Sequence, residues 1–374
     1  MSLEDLHIKK ILMTADTVGG VWTYSLDLCR ALTARGIQVC LATMGAPLSA
    51  DQHLEASSIS GLDVQERHYK LEWMDNPWAD VDLAGKWLLE LEQSVQPDLV
   101  HLNGYALANL NWHAPVLVVA HSCVLSWWKA VKGTSAPASW DEYKRRVKRG
   151  FESADAVVSI SQAYAEELQG LYGPIENLSV IYNGRPAGTF FSREKKRQVF
   201  AMGRIWDEAK NLGILARIAG AVPIPIRVAG NNRHPETGEV LQIPNVELLG
   251  PLSPEQVKEE LADSLIYVLP AIYEPFGLSV LEAALSGCLL ILSDLPVFRE
   301  LWGDTALYFN PAEPKELEDL ISKVLQEPEH YTELRLKAKT RAEAFSSETM
   351  TKNYLKLYQS MVAAPSATPS TKQK

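Results

Sequence analysis

AIYEPFGLSVLEAALSG, residues 271–287, is the stretch from which the rest of the chain can be read. The apolar run 265–269 leads into it as a buried strand, Glu274-Pro275-Phe276-Gly277 breaks the run as a loop, and from Leu278 the composition is helical. A helix entered in this way presents its first free amides at the strand's carboxyl end. Here they belong to Gly277, Leu278 and Ser279, and with the helix dipole they suit an anion. Glu274 in the loop and Glu282 further along the helix bring two carboxylates beside that anion site. Such neighbours need separate tasks, and binding sugar and ribose hydroxyls would supply them.

Outward from this stretch the pattern repeats. Residues 199–202, 226–229, 246–249, 289–292 and 306–309 read as further short buried strands, most with helical patterns between them. The first half has the same rhythm at 8–15, 37–43, 98–102, 116–120, 156–160 and 178–182, with helical spacing of Val21, Tyr24, Leu28 and Leu32 after the first strand. Small, polar and basic residues interrupt the rhythm near 186–196. The expected fold is α/β, with two Rossmann-like, doubly wound domains facing a central cleft where the strand carboxyl ends meet. The boundaries follow as 1–187 and 188–345, then a helix at 346–362 returning to the first domain and a disordered tail at 363–374 rich in Pro, Ser, Thr and Lys.

Gly19-Gly20 after the first strand lets backbone approach a phosphate or sugar, or simply makes a tight turn. The third glycine of a dinucleotide fingerprint is missing, and residues 42–45 lack the acid that would hold a ribose, so NAD and FAD are disfavoured. In the second half Gly203-Arg204 closes a strand and Lys210 follows the polar stretch 207–209, two cations able to clamp a diphosphate.

Glu274 and Glu282, with seven residues between them, resemble the EX7E motif of the retaining GT-B glycosyltransferases of family 4. The Gly19-Gly20 loop, His121, SISQAYAEEL from Ser159, VIYNGRP from Val180, GRIWDEAKN from Gly203 and NVELLG from Asn245 fall in that family's order, so the resemblance covers most of the chain. It implies a hexosyltransferase with a nucleotide diphosphate sugar donor, UDP-linked and glucose-type, that works without metal or cofactor. It also implies that Arg204 and Lys210 bind the diphosphate and that Gly19 and Gly20 lie close to it. Glu274 and the amides of Phe276, Gly277, Leu278 and Ser279 would hold the sugar and phosphates, Glu282 the ribose and Leu249 the base, with His121 near the transferred sugar. A lone histidine ending an apolar strand is otherwise often structural, and His101 shares that position. The alternatives are a nucleotide-sugar epimerase of the same fold and a non-catalytic nucleotide-sugar-binding protein.

The remaining features bound the partners. A net charge of -10 over 374 residues argues against nucleic acid. Cys29, Cys40, Cys123 and Cys288 lack the spacing of a zinc site or disulfide framework. Asp80-Val81-Asp82 mimics a metal-binding DxD motif but opens a helical run at 82–95, where aspartates cap free amides. KRRVKR at 144–149 is either a solvated helix face or a contact for anionic lipid or a lipid-linked acceptor, and Trp127 and Trp128 nearby either stack on sugar or lipid or fill a core or interface role. The charged first ten residues lack the core of a signal peptide, and no run is long and apolar enough to span a bilayer. The expectation is a cytoplasmic enzyme, with peripheral contact at the inner membrane surface open and a sugar or lipid-linked acceptor.

Overall fold

The computed structural model describes residues 8–186, 188–234, 237–327 and 329–363. Its first half is β1 (Lys10–Asp16), α1 (Gly20–Thr33), β2 (Gln38–Met44), α2 (Ala50–Ser57), β3 (Leu62–Glu66), α3 (Trp78–Val95), β4 (Leu99–Leu102), β5 (Val116–Ala120), α4 (Val124–Lys132), α5 (Asp141–Ser153), β6 (Ala156–Ser159), α6 (Gln162–Tyr172) and β7 (Leu178–Val180). The second half is β8 (Lys196–Met202), α7 (Ile214–Ile218), β9 (Ile226–Ala229), β10 (Glu247–Gly250), α8 (Pro254–Asp263), β11 (Ser264–Leu269), α9 (Leu278–Leu285), β12 (Leu289–Ser293), α10 (Pro296–Trp302), β13 (Leu307–Phe309), α11 (Pro314–Gln326), α12 (Thr332–Glu343) and α13 (Ser347–Ala363).

Two parallel sheets result, ordered β3-β2-β1-β4-β5-β6-β7 and β10-β9-β8-β11-β12-β13. The central strands are buried on both faces, as crossover helices demand, so they read as continuous apolar runs. In each sheet the chain order reverses beside the first strand. That switch point opens a crevice at the carboxyl ends.

The halves are joined twice. Arg185 N–H donates to Phe345 O at 3.0 Å and Ser347 N–H to Arg185 O at 2.9 Å, so the outgoing and returning strands of chain pair at one hinge. A side chain on Gly184 would collide with Ser346 O, 2.3 Å from where its Cβ would stand. After the hinge α13 lies on the first domain, with Tyr358 Oη 2.6 Å from His101 Nδ1.

The structure corrects the capping reading of Asp80 and Asp82. α3 begins at Trp78 with no side-chain cap, so Asp80 lies in its first turn and Asp82 beyond it. Asp80 accepts from the Lys70 amide at 2.9 Å and Asp82 pairs with Arg146 at 2.5 Å, so the DxD-like pair is committed to structure, but not by capping. α2, β3 and α4 carry no reading from the sequence. The expected tail, apart from Ala363, lies outside the described residues. All four thiols are buried. Among the described residues no helix is long and apolar enough to cross a membrane.

Candidate donor cleft

The second domain supplies a cationic clamp. β8 ends at Met202, and Gly203 and Arg204 lead into a 3-10 turn over Glu208–Lys210. Asp207 caps that turn, its Oδ1 accepting from the Ala209 amide at 3.0 Å, while its Oδ2 takes the Arg204 guanidinium at 2.6 Å. Burial pushes this carboxyl up, but the charges of Arg204 and Lys210 outweigh it and hold Asp207 below the usual range. Lys210 Nζ reaches Glu274 Oε2 at 2.6 Å, both side chains mostly buried. Arg204, Lys210 and Glu274 therefore converge where β8 and β11 deliver their loops.

The helix opening expected at Gly277 is present. Gly277 takes a left-handed φ of 88° to turn the chain into α9, and no side chain caps the amides that follow. Phe276 is buried, Leu278 and Ser279 half-buried, and the Phe276 amide lies 3.4 Å from Glu274 Oε1. Leu249 stands half-buried near the carboxyl end of edge strand β10.

The first domain meets this clamp directly. Gly19, at φ 78°, is the residue before α1, and a Cβ there would stand 3.4 Å from Arg204 Nη1. One on Gly20 would stand 3.5 Å from Leu278 Cδ1. Both glycines are exposed, so the two loops face each other across an open seam. Further along the seam Trp127 Nε1–H donates to Asp207 Oδ1 at 3.2 Å and Lys132 pairs with Glu208 at 2.6 Å. Glu300 accepts both leading amides of α6, Gln162 and Ala163, at 2.8 and 2.7 Å.

His121 follows β5, half-buried, with Nε2 2.8 Å from Asn103 Oδ1. The Asn103 amide nitrogen donates to Thr14 O and Ser25 Oγ, so its oxygen faces His121, and Nε2 carries the proton. Burial, with His101 nearby, drives the imidazole down to about 3. A neutral ring with Nδ1 as acceptor suits a hydroxyl. His101 is fully enclosed between Tyr358, Tyr24 and Asn103 and is structural.

Glu282 is tied through the hinge, where Glu274 is tied within its own domain. It is buried, 3.0 Å from Arg185 Nε, and Arg185 also binds Asp27 of α1. Burial pushes Glu282 and Asp27 up, and Arg185 only partly opposes it. Sequence reasoning found the glutamate and missed its partner, because Arg185 reaches it only through the hinge. It also missed Asp207, Asn103 and Asp16; the polar run 207–209 was the one available signal.

Known proteins agree with this architecture. Residues 18–187 match the family model Glycosyltransferase Family 4 and residues 190–342 that of Glycosyl transferases group 1. The chain belongs to the GT-B glycosyltransferases of this family. The O-antigen chain mannosyltransferase RfbU of Salmonella typhimurium is 26% identical over 193 residues, 49% of this chain. The chain spans about half the length of that relative, 54%. Sucrose-phosphate synthase from Thermosynechococcus elongatus superposes with a TM-score of 0.79 at 17% identity, over 96% of this chain and 100% of the other. Anabaena HepE, solved with UDP-glucose, gives 0.76 at 18% identity, over 95% and 100%.

Proposed function

We propose that this glycosyltransferase is a retaining, metal-independent hexosyltransferase that takes a glucose-type sugar from UDP and passes it to a sugar or lipid-linked sugar in glycan or polysaccharide synthesis. The observation that carries the reading is the convergence of Arg204, Lys210 and the uncapped start of α9, with Gly19 in van der Waals reach of Arg204. A departing diphosphate needs fixed cations and N–H donors that do not reorganise, and a side chain at Gly19 would fill the space beside Arg204. Those cations do the work a divalent ion would otherwise do. Complexes of HepE with UDP and UDP-glucose support the choice of donor.

In this reading Glu274, steadied by Lys210, accepts from the sugar hydroxyls, and neutral His121 bonds a further one. Glu282 takes the ribose, sharing its carboxylate with Arg185, and Leu249 lies against the base. The acceptor's proton passes to the departing phosphate on the same face of the sugar, so no side-chain base is required.

UDP release from UDP-glucose, measured with and without EDTA and with the product anomer read by NMR, tests this. Turnover should survive chelation and the product should be the α-anomer. Loss on chelation with recovery on adding Mg²⁺ refutes metal independence, and a β-product refutes retention.

A further inference from the structure

The donor reading leaves one cleft carboxylate unused. Asp16 ends β1, three residues before Gly19, on the wall opposite the clamp. Its Oδ1 accepts the Val18 amide at 2.7 Å and its Oδ2 the Trp73 indole N–H at 3.2 Å. Each oxygen retains a second acceptor position, the residue is part-buried, and the charge of Arg204 in the clamp acts on it. Burial pushes the carboxyl up to about 6, against the two hydrogen bonds and the charge of Arg204. Keeping a carboxylate where ionisation is disfavoured has little structural return, since it secures one loop amide and one indole. Residues that cost stability without packing value concentrate at binding sites.

Its neighbour gives the chemistry. Trp73 is half-buried in the loop between β3 and α3, and the bond to Asp16 fixes its ring plane. A carboxylate beside a fixed indole is complementary to a pyranose: the oxygens take hydroxyl protons in charge-assisted bonds, and the ring face packs on the sugar's C–H face. An anionic group would be repelled by Asp16 once ionised.

We propose that Asp16 and Trp73 form the acceptor subsite and that its occupant is a neutral pyranose, whatever carrier that sugar ends. The assignment rests on the transferase reading above. It places the acceptor hydroxyl on the β1 side of the seam, facing Arg204 rather than α5.

The test uses full-length protein saturated with UDP and titrated with the methyl α-pyranosides of glucose, mannose and galactose, followed by saturation-transfer NMR. At least one should receive saturation from the wild type. Asp16→Asn and, independently, Trp73→Ala should each weaken it about tenfold or more, about 1.4 kcal/mol, with UDP affinity held within about threefold. Trp73→Phe, which keeps a ring face, should retain most of the binding. Wild type that binds UDP but no pyranoside overturns the subsite and leaves the transferase reading standing, as do variants that bind like wild type. Failure of wild type to bind UDP or consume UDP-glucose overturns both. Should Asp16→Asn not fold, Trp73→Ala, in a surface loop, decides alone.

Discussion

Glu274 and Glu282 come from one motif, yet they sit in unlike places. Glu274 pairs with Lys210 inside a single domain, at the cleft, where both partners arrive on loops from neighbouring strands. Glu282 lies within α9, the helix that follows, and pairs with Arg185, which belongs to the hinge and holds Asp27 of the other domain as well. The first pair can open toward a ligand at small structural cost. The second is part of what fixes the domains, and two carboxylates against one guanidinium leave a surplus of buried negative charge. One motif thus joins a carboxylate held within its own domain to one held through the hinge, which also ties the domains together.

The comparison breaks most sharply at the clamp. Lys210→Ala frees Glu274 and removes a cation from the leaving group, and Arg204→Ala removes the other. Each should lower kcat about 10²–10³-fold, the usual consequence of deleting one fixed stabiliser of developing charge. Single-turnover transfer from UDP-glucose measures it. Wild-type rates in either variant would detach that residue from the site.

Stability against function separates the glutamates next. Glu282→Ala leaves Arg185 Nε without its acceptor while Asp27 still neutralises the guanidinium, and should cost about 1–3 kcal/mol in urea unfolding, besides weakening UDP. Glu282→Gln, which keeps volume and removes the surplus charge, should cost far less. Glu274→Ala should cost less stability, because Lys210 keeps the nearby charge of Asp207, while transfer falls more than UDP affinity. Calorimetry with UDP beside urea melts reads both axes, and the reverse pattern would exchange the two roles.

How much of this was legible follows from the same distinction. The alternating fold could be read because strands buried on both faces leave uninterrupted apolar runs, as at Val116–Ala120 and Leu289–Ser293. Glu274, Lys210 and the opening of α9 could be read because each lies in or beside a loop at a strand's carboxyl end, so local order in sequence becomes proximity. Strand β3 escaped because its residues are only half-buried or exposed and its pattern is weak. Arg185 escaped because the chain brings Asp27, Arg185 and Glu282 together from distances of over ninety residues. Asp16 hid inside a strand end whose interest seemed exhausted by the glycines after it.

Acid sharpens the contrast further, through groups that are buried and neutral. His101 and His121 are both driven down to about 3. A folded value below the unfolded one means their contribution is intact above about pH 6.5 and is lost as pH falls toward 3. Each fully shifted histidine adds about 1.4 kcal/mol per pH unit over that window. With one folded value between them, His101 and His121 should contribute alike to the slope between pH 7 and pH 5. Urea melts at both pH values on His101→Asn and His121→Asn check this, and a variant that keeps the full slope would remove its histidine from the account.

At the far end from the buried triad stand the solvated charges of α5, where the smallest effect is expected. Arg145 binds Glu142, Arg146 binds Glu142 and Asp82 and stacks 4.6 Å above Trp78, and Lys148 lies 3.8 Å from Glu152. Helix α5 carries Lys144, Arg145, Arg146, Lys148 and Arg149 against Asp141, Glu142 and Glu152, five charges less three, or a net of +2. At roughly 1 kcal/mol for each basic residue near an anionic surface, two uncompensated charges give only about 2 kcal/mol of membrane attraction. Vesicles rich in phosphatidylserine should therefore retain a minor fraction of the protein at low salt and release it near about 0.15 M, where the Debye length is about 8 Å. Lys144→Ser with Arg149→Ser should abolish that fraction without changing the melt, because exposed charges contribute little to stability. Arg146→Ser should instead lower the melt slightly, since it gives up the contact with α3. Strong pelleting that persists at high salt would mean that α5 meets the bilayer with more than its charge, and would reopen a lipid-linked carrier as the acceptor's anchor.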